Sequence, residues 1–126
     1  MEFSVEKTIG PNRIAAYGDG FVQINDIRHE KSVLVTPDKT WTKWPPESPD
    51  ALSDNHIRFL KDLSLQVLLL GCGSQHRLFP VPFMAQFVSA EIGIEVMTTP
   101  AACRTYNILL SEERKVGAIL FIDIAN

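Results

Sequence analysis

Apolar positions recur along this chain in two rhythms, one suited to strands and one to helices, and the change falls near Ser53. Ile14-Ala15-Ala16-Tyr17 and Phe21-Val22-Gln23-Ile24 flank Gly18-Asp19-Gly20, and a short glycine-bearing loop between two β-prone runs predicts an antiparallel hairpin. Asn25-Asp26 punctuates the chain before Ser32-Val33-Leu34-Val35-Thr36, whose β-branched content and terminating Pro37-Asp38 predict a third strand. Trp41 to Pro46 suits only a short edge segment, because proline cannot donate to a ladder.

From Ser53 onward, Leu52, His56, Ile57, Phe59, Leu60 and Leu63 gather on one broad helical face, with Asn55, Arg58, Lys61 and Asp62 opposite. Gln66 to Leu70 is a continuous apolar run closed by Gly71, the pattern of a central strand buried on both faces. Phe83, Met84, Phe87 and Val88 then predict a helix, with Gly93 as its left-handed stop. Ile94 to Met97 reads as a short strand. Thr98 or Thr99 is a good N-cap and Pro100 a good first-turn residue for a helix running to about Glu113 or Arg114. Gly117 to Ile122 supplies a last apolar strand. The expected class is α/β: an N-terminal antiparallel hairpin, then strand-helix units whose right-handed crossovers make a mixed, partly parallel sheet. Residues 1–126 are read as one domain, with no repeat or linker dividing them.

Composition is consistent with this reading and narrows the function. Apolar residues make up 45% and charged residues 21%, the balance of a globular chain. The formal charge of −3, with Lys31, Lys39, Lys43, Arg58 and Lys61 scattered among acids, gives no basic stripe for nucleic acid or an anionic membrane. Val67 to Leu70 and Val116 to Ile122 are far shorter than the ~20 residues that span a bilayer. The first six residues resemble neither a secretory signal nor a transit peptide, so the cytoplasm is the expected residence. Cys72 and Cys103 follow no metal-ligand spacing and are expected as reduced thiols; His29, His56 and His76 lie in different elements, so no metal site and no cofactor are expected.

Chemistry in a parallel sheet gathers where strands end. The loop Gly71-Cys72-Gly73-Ser74 and the turn Thr98-Thr99-Pro100 are both expected at that edge. Gly71 and Gly73 invite two readings: a backbone cradle for a small anion, aided by Arg77 or Arg104, or glycines that simply end a strand and turn the chain. Helical spacing puts Arg104, Asn107 and Ser111 on one face, available to ligand, partner or water, and turns Tyr106 toward the core. Cys72 with His76 four residues on suggests a nucleophile pair; a small apolar residue in a turn is the plainer reading. Cys72 and Cys103 together suggest a thiol switch if the loops meet. Trp41 and Trp44 beside Pro45-Pro46 are candidate partner anchors or residues buried under a loop. Glu112-Glu113 with Arg114-Lys115 reads as a solvated helix end.

Several stretches together carry a resemblance: INDIRHEKSVLVTP (Ile24 to Pro37), Trp44-Pro45, LLLGCG (Leu68 to Gly73) and GIEVMTTPAACRTYNILLSEER (Gly93 to Arg114). They resemble the family catalogued as domain of unknown function 498, which includes the mitochondrial complex I assembly factor 3 and an adipogenesis-associated protein. The resemblance implies a three-layer α/β fold with a mixed sheet, no assigned catalytic residues, and action through protein contacts. Cys72 stands where the family commonly has Thr, which removes a hydroxyl from any site relying on it. The leading expectation is therefore a non-catalytic binding or assembly module with an unknown protein partner. The alternative is an anion- or small-molecule-binding protein, or a small enzyme, using Gly71, Cys72, Gly73 and Ser74 with Arg77, Arg104 and Asn107.

Overall fold

The computed structural model describes residues 5–6, 11–75 and 77–123. Its elements are β1 (Val5–Glu6), β2 (Ile14–Gly18), β3 (Phe21–Ile24), β4 (Ile27–His29), β5 (Val33–Val35), β6 (Thr40–Trp41), α1 (Asp54–Asp62), β7 (Val67–Gly71), α2 (Val81–Val88), β8 (Gly93–Met97), α3 (Thr99–Ser111) and β9 (Val116–Leu120). Six strands form one sheet in the order β1-β6-β5-β9-β7-β8, and β2-β3-β4 form a second, antiparallel one. Strand β7 runs parallel to both β8 and β9, while β5 pairs antiparallel to β9. The large sheet is therefore mixed, as the strand-helix alternation implied.

Period-two alternation assigns the two faces of the large sheet. Val33, Val35, Val67, Leu69, Val116, Ala118 and Leu120 point to a core shared with Ala102, Cys103 and Tyr106 of α3 and with Ile14, Val22 and Ile24 of the small sheet. Leu34, Leu68, Leu70, Ile119 and Phe121 point to the other core, built with Trp41, Trp44, Ile57, Leu60 and Phe87. The result is three layers: α1 and α2, the large sheet, and α3 with the small sheet. Strands β7 and β9 are buried along their whole length, which explains their unbroken apolar sequences.

Both small-sheet turns have two residues. Asp19-Gly20 joins β2 to β3, with Gly20 at φ +78°, and Asn25-Asp26 joins β3 to β4, with Asn25 at φ +53°. The buried side chain of Asn12 ties this sheet to the large one. Its Nδ2 donates to the Thr36 carbonyl at 3.0 Å and to Thr40 Oγ1 at 3.2 Å, its Oδ1 accepts from Asn25 Nδ2 at 3.0 Å, and its carbonyl accepts the Tyr106 hydroxyl at 2.9 Å.

Helix boundaries depart from expectation at two ends, those of α2 and α3. The α2 stop is not Gly93, which opens β8; the left-handed residue is Glu91, at φ +62°. Its N–H donates to the Val88 carbonyl at 2.9 Å and the Ile92 N–H to the Phe87 carbonyl at 3.0 Å, and Ile92 and Phe87 pack in the same core. These are the bonds and the apolar contact of a Schellman ending, which compensate for the strain of a non-glycine residue there. Helix α3 ends the same way, with Glu113 at φ +59°, its N–H on the Leu110 carbonyl and the Arg114 N–H on the Leu109 carbonyl. It stops at Ser111, and the expected N-cap is Thr98, whose Oγ1 accepts the Ala101 N–H at 3.4 Å. Strand β4 was not anticipated, and Thr40–Trp41 lies between β1 and β5 rather than at the margin.

Candidate functional site

The carboxyl ends of β7, β8 and β9 converge, because parallel register places Gly71 beside both Met97 and Leu120. Helix α3 starts against this edge at close quarters. A Cβ on Gly71 would lie 3.0 Å from the Thr99 Cα and 3.1 Å from the Ala102 Cβ, so only glycine lets the helix approach without displacement.

Thr99 knits the three strand ends together. Its hydroxyl accepts the Gly73 N–H at 2.8 Å and donates to the Phe121 carbonyl at 2.6 Å, and its N–H donates to the Gly73 carbonyl at 2.8 Å. The Phe121 N–H reaches the Gly71 carbonyl at 2.8 Å. The expected meeting of the Gly71 loop with the Pro100 helix start is thus made through a buried threonine.

The loop amides all have partners inside the protein. Cys72 N–H donates to the Met97 carbonyl at 2.9 Å, Gly73 N–H to Thr99, and Ser74 N–H to Asp123 Oδ2 at 2.9 Å. The place the glycines were expected to open to an anion is taken by the Asp123 carboxylate, which lies so close to Gly73 that a Cβ there would strike Oδ1. Gly73 also has φ +95°, so glycine is required twice over.

The thiols are in packed surroundings. Cys72 is buried, and its Sγ lies 3.1 Å from the Met97 carbonyl and 3.2 Å from that of Gln75, the position of a weak donor with two acceptors. His76, its suggested partner, lies outside the described residues. Both cysteines are free, and burial pushes the Cys103 thiol up to about 12, which keeps it protonated and inert at neutral pH.

The remaining candidates separate. Arg77 is exposed and paired with Asp50, whose carboxylate holds its guanidinium above the ordinary arginine range. Arg104 is exposed too and donates to the Tyr17 hydroxyl at 3.0 Å. Asn107 corrects the sequence reading, because its side chain is not offered to a ligand. Its Oδ1 accepts the Ile14 N–H at 3.0 Å and its Nδ2 donates to the Ile14 carbonyl at 2.9 Å, clamping β2 to α3. Tyr106 faces the core as expected, and burial raises its pKa. Trp41 and Trp44 are buried, 4% and 3% exposed, against Phe59, which removes them as surface anchors.

What the edge retains is shape. A cleft of about 440 Å³ lies between the β2-β3 turn, Ser74, the start of α3 and Phe121 to Asp123. Two further clefts, of about 410 and 580 Å³, adjoin it, and all three share Ile122 and Asp123. Thr99, Asp123 and the hairpin tip were missed as site residues. The sequence signal for Thr99 is its place beside the N-cap, but Asp123 carries none, since a lone acid after a strand is usually a solvated residue. Among the described residues, no group of three or more His, Cys, Asp or Glu side chains is placed to hold a metal, and no helix is long and apolar enough to cross a membrane.

A three-layer α/β domain with its cleft at the ends of parallel strands is the class that fold and edge define. The chain belongs to the family described as protein of unknown function (DUF498/DUF598), whose family model matches residues 14–121. It is 33% identical over 111 residues to an uncharacterized protein of Rhodobacter capsulatus, covering 85% of this chain and 82% of that one. A crystal structure of a Bordetella parapertussis protein superposes with a TM-score of 0.83 at 31% identity, covering 91% of this chain and 98% of the other. Similarity extends to the NADH dehydrogenase (ubiquinone) 1 alpha subcomplex assembly factor 3 of Danio rerio, 34% identical over 62 residues, which are 49% of this chain and 36% of that protein.

Proposed function

We propose that this protein is a non-catalytic binding or assembly module that acts in the cytoplasm through protein contacts, with the cleft beside the Gly71 loop as its contact site. One observation carries the reading: the Cys72, Gly73 and Ser74 amides and the Thr99 hydroxyl are all engaged in internal hydrogen bonds. Groups spent in this way fix the outline of an edge, leave no loop amide free to cradle an anion or an oxyanion, and withhold the Thr99 hydroxyl from nucleophilic work. Similarity to an assembly factor supports the same direction.

The test is site-specific photocrosslinking in the source cells, with a photoreactive amino acid at Tyr17 on the cleft and, separately, at Arg58 on the exposed side of α1. A discrete protein adduct from position 17 and none from position 58 is expected. No adduct at 17, or the same adducts from both positions, overturns the proposed contact site. Fractionation of the same cells reports on the cytoplasmic part of the proposal.

A further inference from the structure

The three clefts that share Ile122 and Asp123 adjoin one another at the strand ends and are taken together as one groove. Phe21, Pro100, Phe121 and Ile122 line its first cleft, the last two of them buried, and at Gly20 a Cβ would meet nothing within 4 Å. The charges along it are unevenly spent. Arg28 is paired with Glu30 and stacked 3.9 Å over the Phe21 ring, and Arg77 is paired with Asp50. Among the described residues, Asp19 and Glu47, both exposed, form no ion pair, and Asp123 accepts only the Ser74 amide. Against these three carboxylates stand Lys31 in the adjoining cleft and Arg104 on the rim, the latter tied to the Tyr17 hydroxyl.

Resting on the protein-contact reading above, we propose that the groove takes an extended segment of a partner protein in which a lysine or arginine stands beside a large apolar residue. The apolar side chain enters between Phe21, Pro100 and Ile122, and the cation meets Asp19, Glu47 or Asp123. Desolvated apolar contact supplies the affinity, and charge complementarity selects the partner and speeds its encounter. An acidic segment is repelled by the same carboxylates.

The experiment uses the full chain labelled with nitrogen-15 and two synthetic peptides, Gly-Ser-Leu-Arg-Phe-Arg-Leu-Ser-Gly and its twin with both arginines replaced by glutamate. The basic peptide is expected to shift the amides of Gly18, Gly20, Gly73, Ser74 and Asp123. The twin should leave them in place, and the double variant Asp19→Lys, Glu47→Lys should weaken the basic peptide at least tenfold. Asp19→Asn with Glu47→Gln, which neutralises without reversing, should give a smaller loss and controls for any disturbance of the turn. Equal binding of both peptides in the groove overturns the partner chemistry while leaving a protein-contact site intact. Shifts confined to α2, or no shifts at all, overturn the groove as the peptide site, whereas photocrosslinking at Tyr17 judges the broader reading separately.

Discussion

The carboxamide of Asn107 brackets the backbone of Ile14, satisfying both its N–H and its carbonyl from a helix 93 residues away in sequence. A side chain here substitutes for a neighbouring strand. Asn107→Leu keeps the bulk and removes both bonds, leaving two partly buried backbone groups unmatched, so a loss of about 1–3 kcal/mol is expected. Urea denaturation measures it, and amide exchange at Ile14 should accelerate more than exchange in β7. An unchanged midpoint would show that water replaces the clamp at no cost.

Gly73 combines a left-handed backbone with direct contact to Asp123. Gly73→Ala is expected to destabilise by roughly 2–4 kcal/mol, from the conformational cost and the displacement of the carboxylate from Ser74. Pairing it with Asp123→Ala should recover the second part but not the first. Strictly additive losses in the two variants would contradict the contact.

Helices α2 and α3 both end on glutamates with positive φ. Replacing Glu91 or Glu113 with glycine should raise stability by about 0.5–1 kcal/mol, because glycine adopts this conformation without strain and the capping bonds are backbone bonds that survive the change. Thermal denaturation of each variant decides the matter, and a fall in melting temperature in both would refute the explanation given for these helix ends.

Ser53 N–H donates to His56 Nδ1 at 2.9 Å, closing the first turn of α1, and the ring packs edge-on to Trp44 with centroids 5.0 Å apart. Nδ1 accepts only while it carries no proton, and burial lowers the pKa below its ordinary 6.5. The folded state therefore binds this proton more weakly than the unfolded one. The contribution is fully present above pH 6.5 and is lost as pH falls through the lower folded value. His56→Gln retains an acceptor at this helix position and should flatten the melting temperature between about pH 7 and about pH 5. An identical slope in the variant would assign the acid sensitivity elsewhere.

The sequence made the second half of the fold legible because its signals are local. A continuous apolar run marked β7, and a threonine cap with an early proline marked α3. The small sheet was half legible: the Gly18-Asp19-Gly20 turn announced β2 and β3, but β4 has exposed Ile27 and Arg28 and no alternation to reveal it. At the site, spacing put Asn107 on the correct face of α3 without indicating that a backbone strand would occupy it. Asp123 was invisible for the same reason, since its importance comes from a bond to Ser74, 49 residues earlier. Spacing reports which way a side chain points, and only tertiary structure reports what it meets.

The Asn12 junction has a consequence for synthesis. The Tyr106 hydroxyl that closes it lies 94 residues downstream. On a ribosome the β2-β3 hairpin therefore emerges long before the helix that receives it, and its docking surface is complete only when nearly all of the described chain is out. A structure made early is locked only late, and through that interval Ile14, Val22 and Ile24 present an apolar face that α3 has yet to cover.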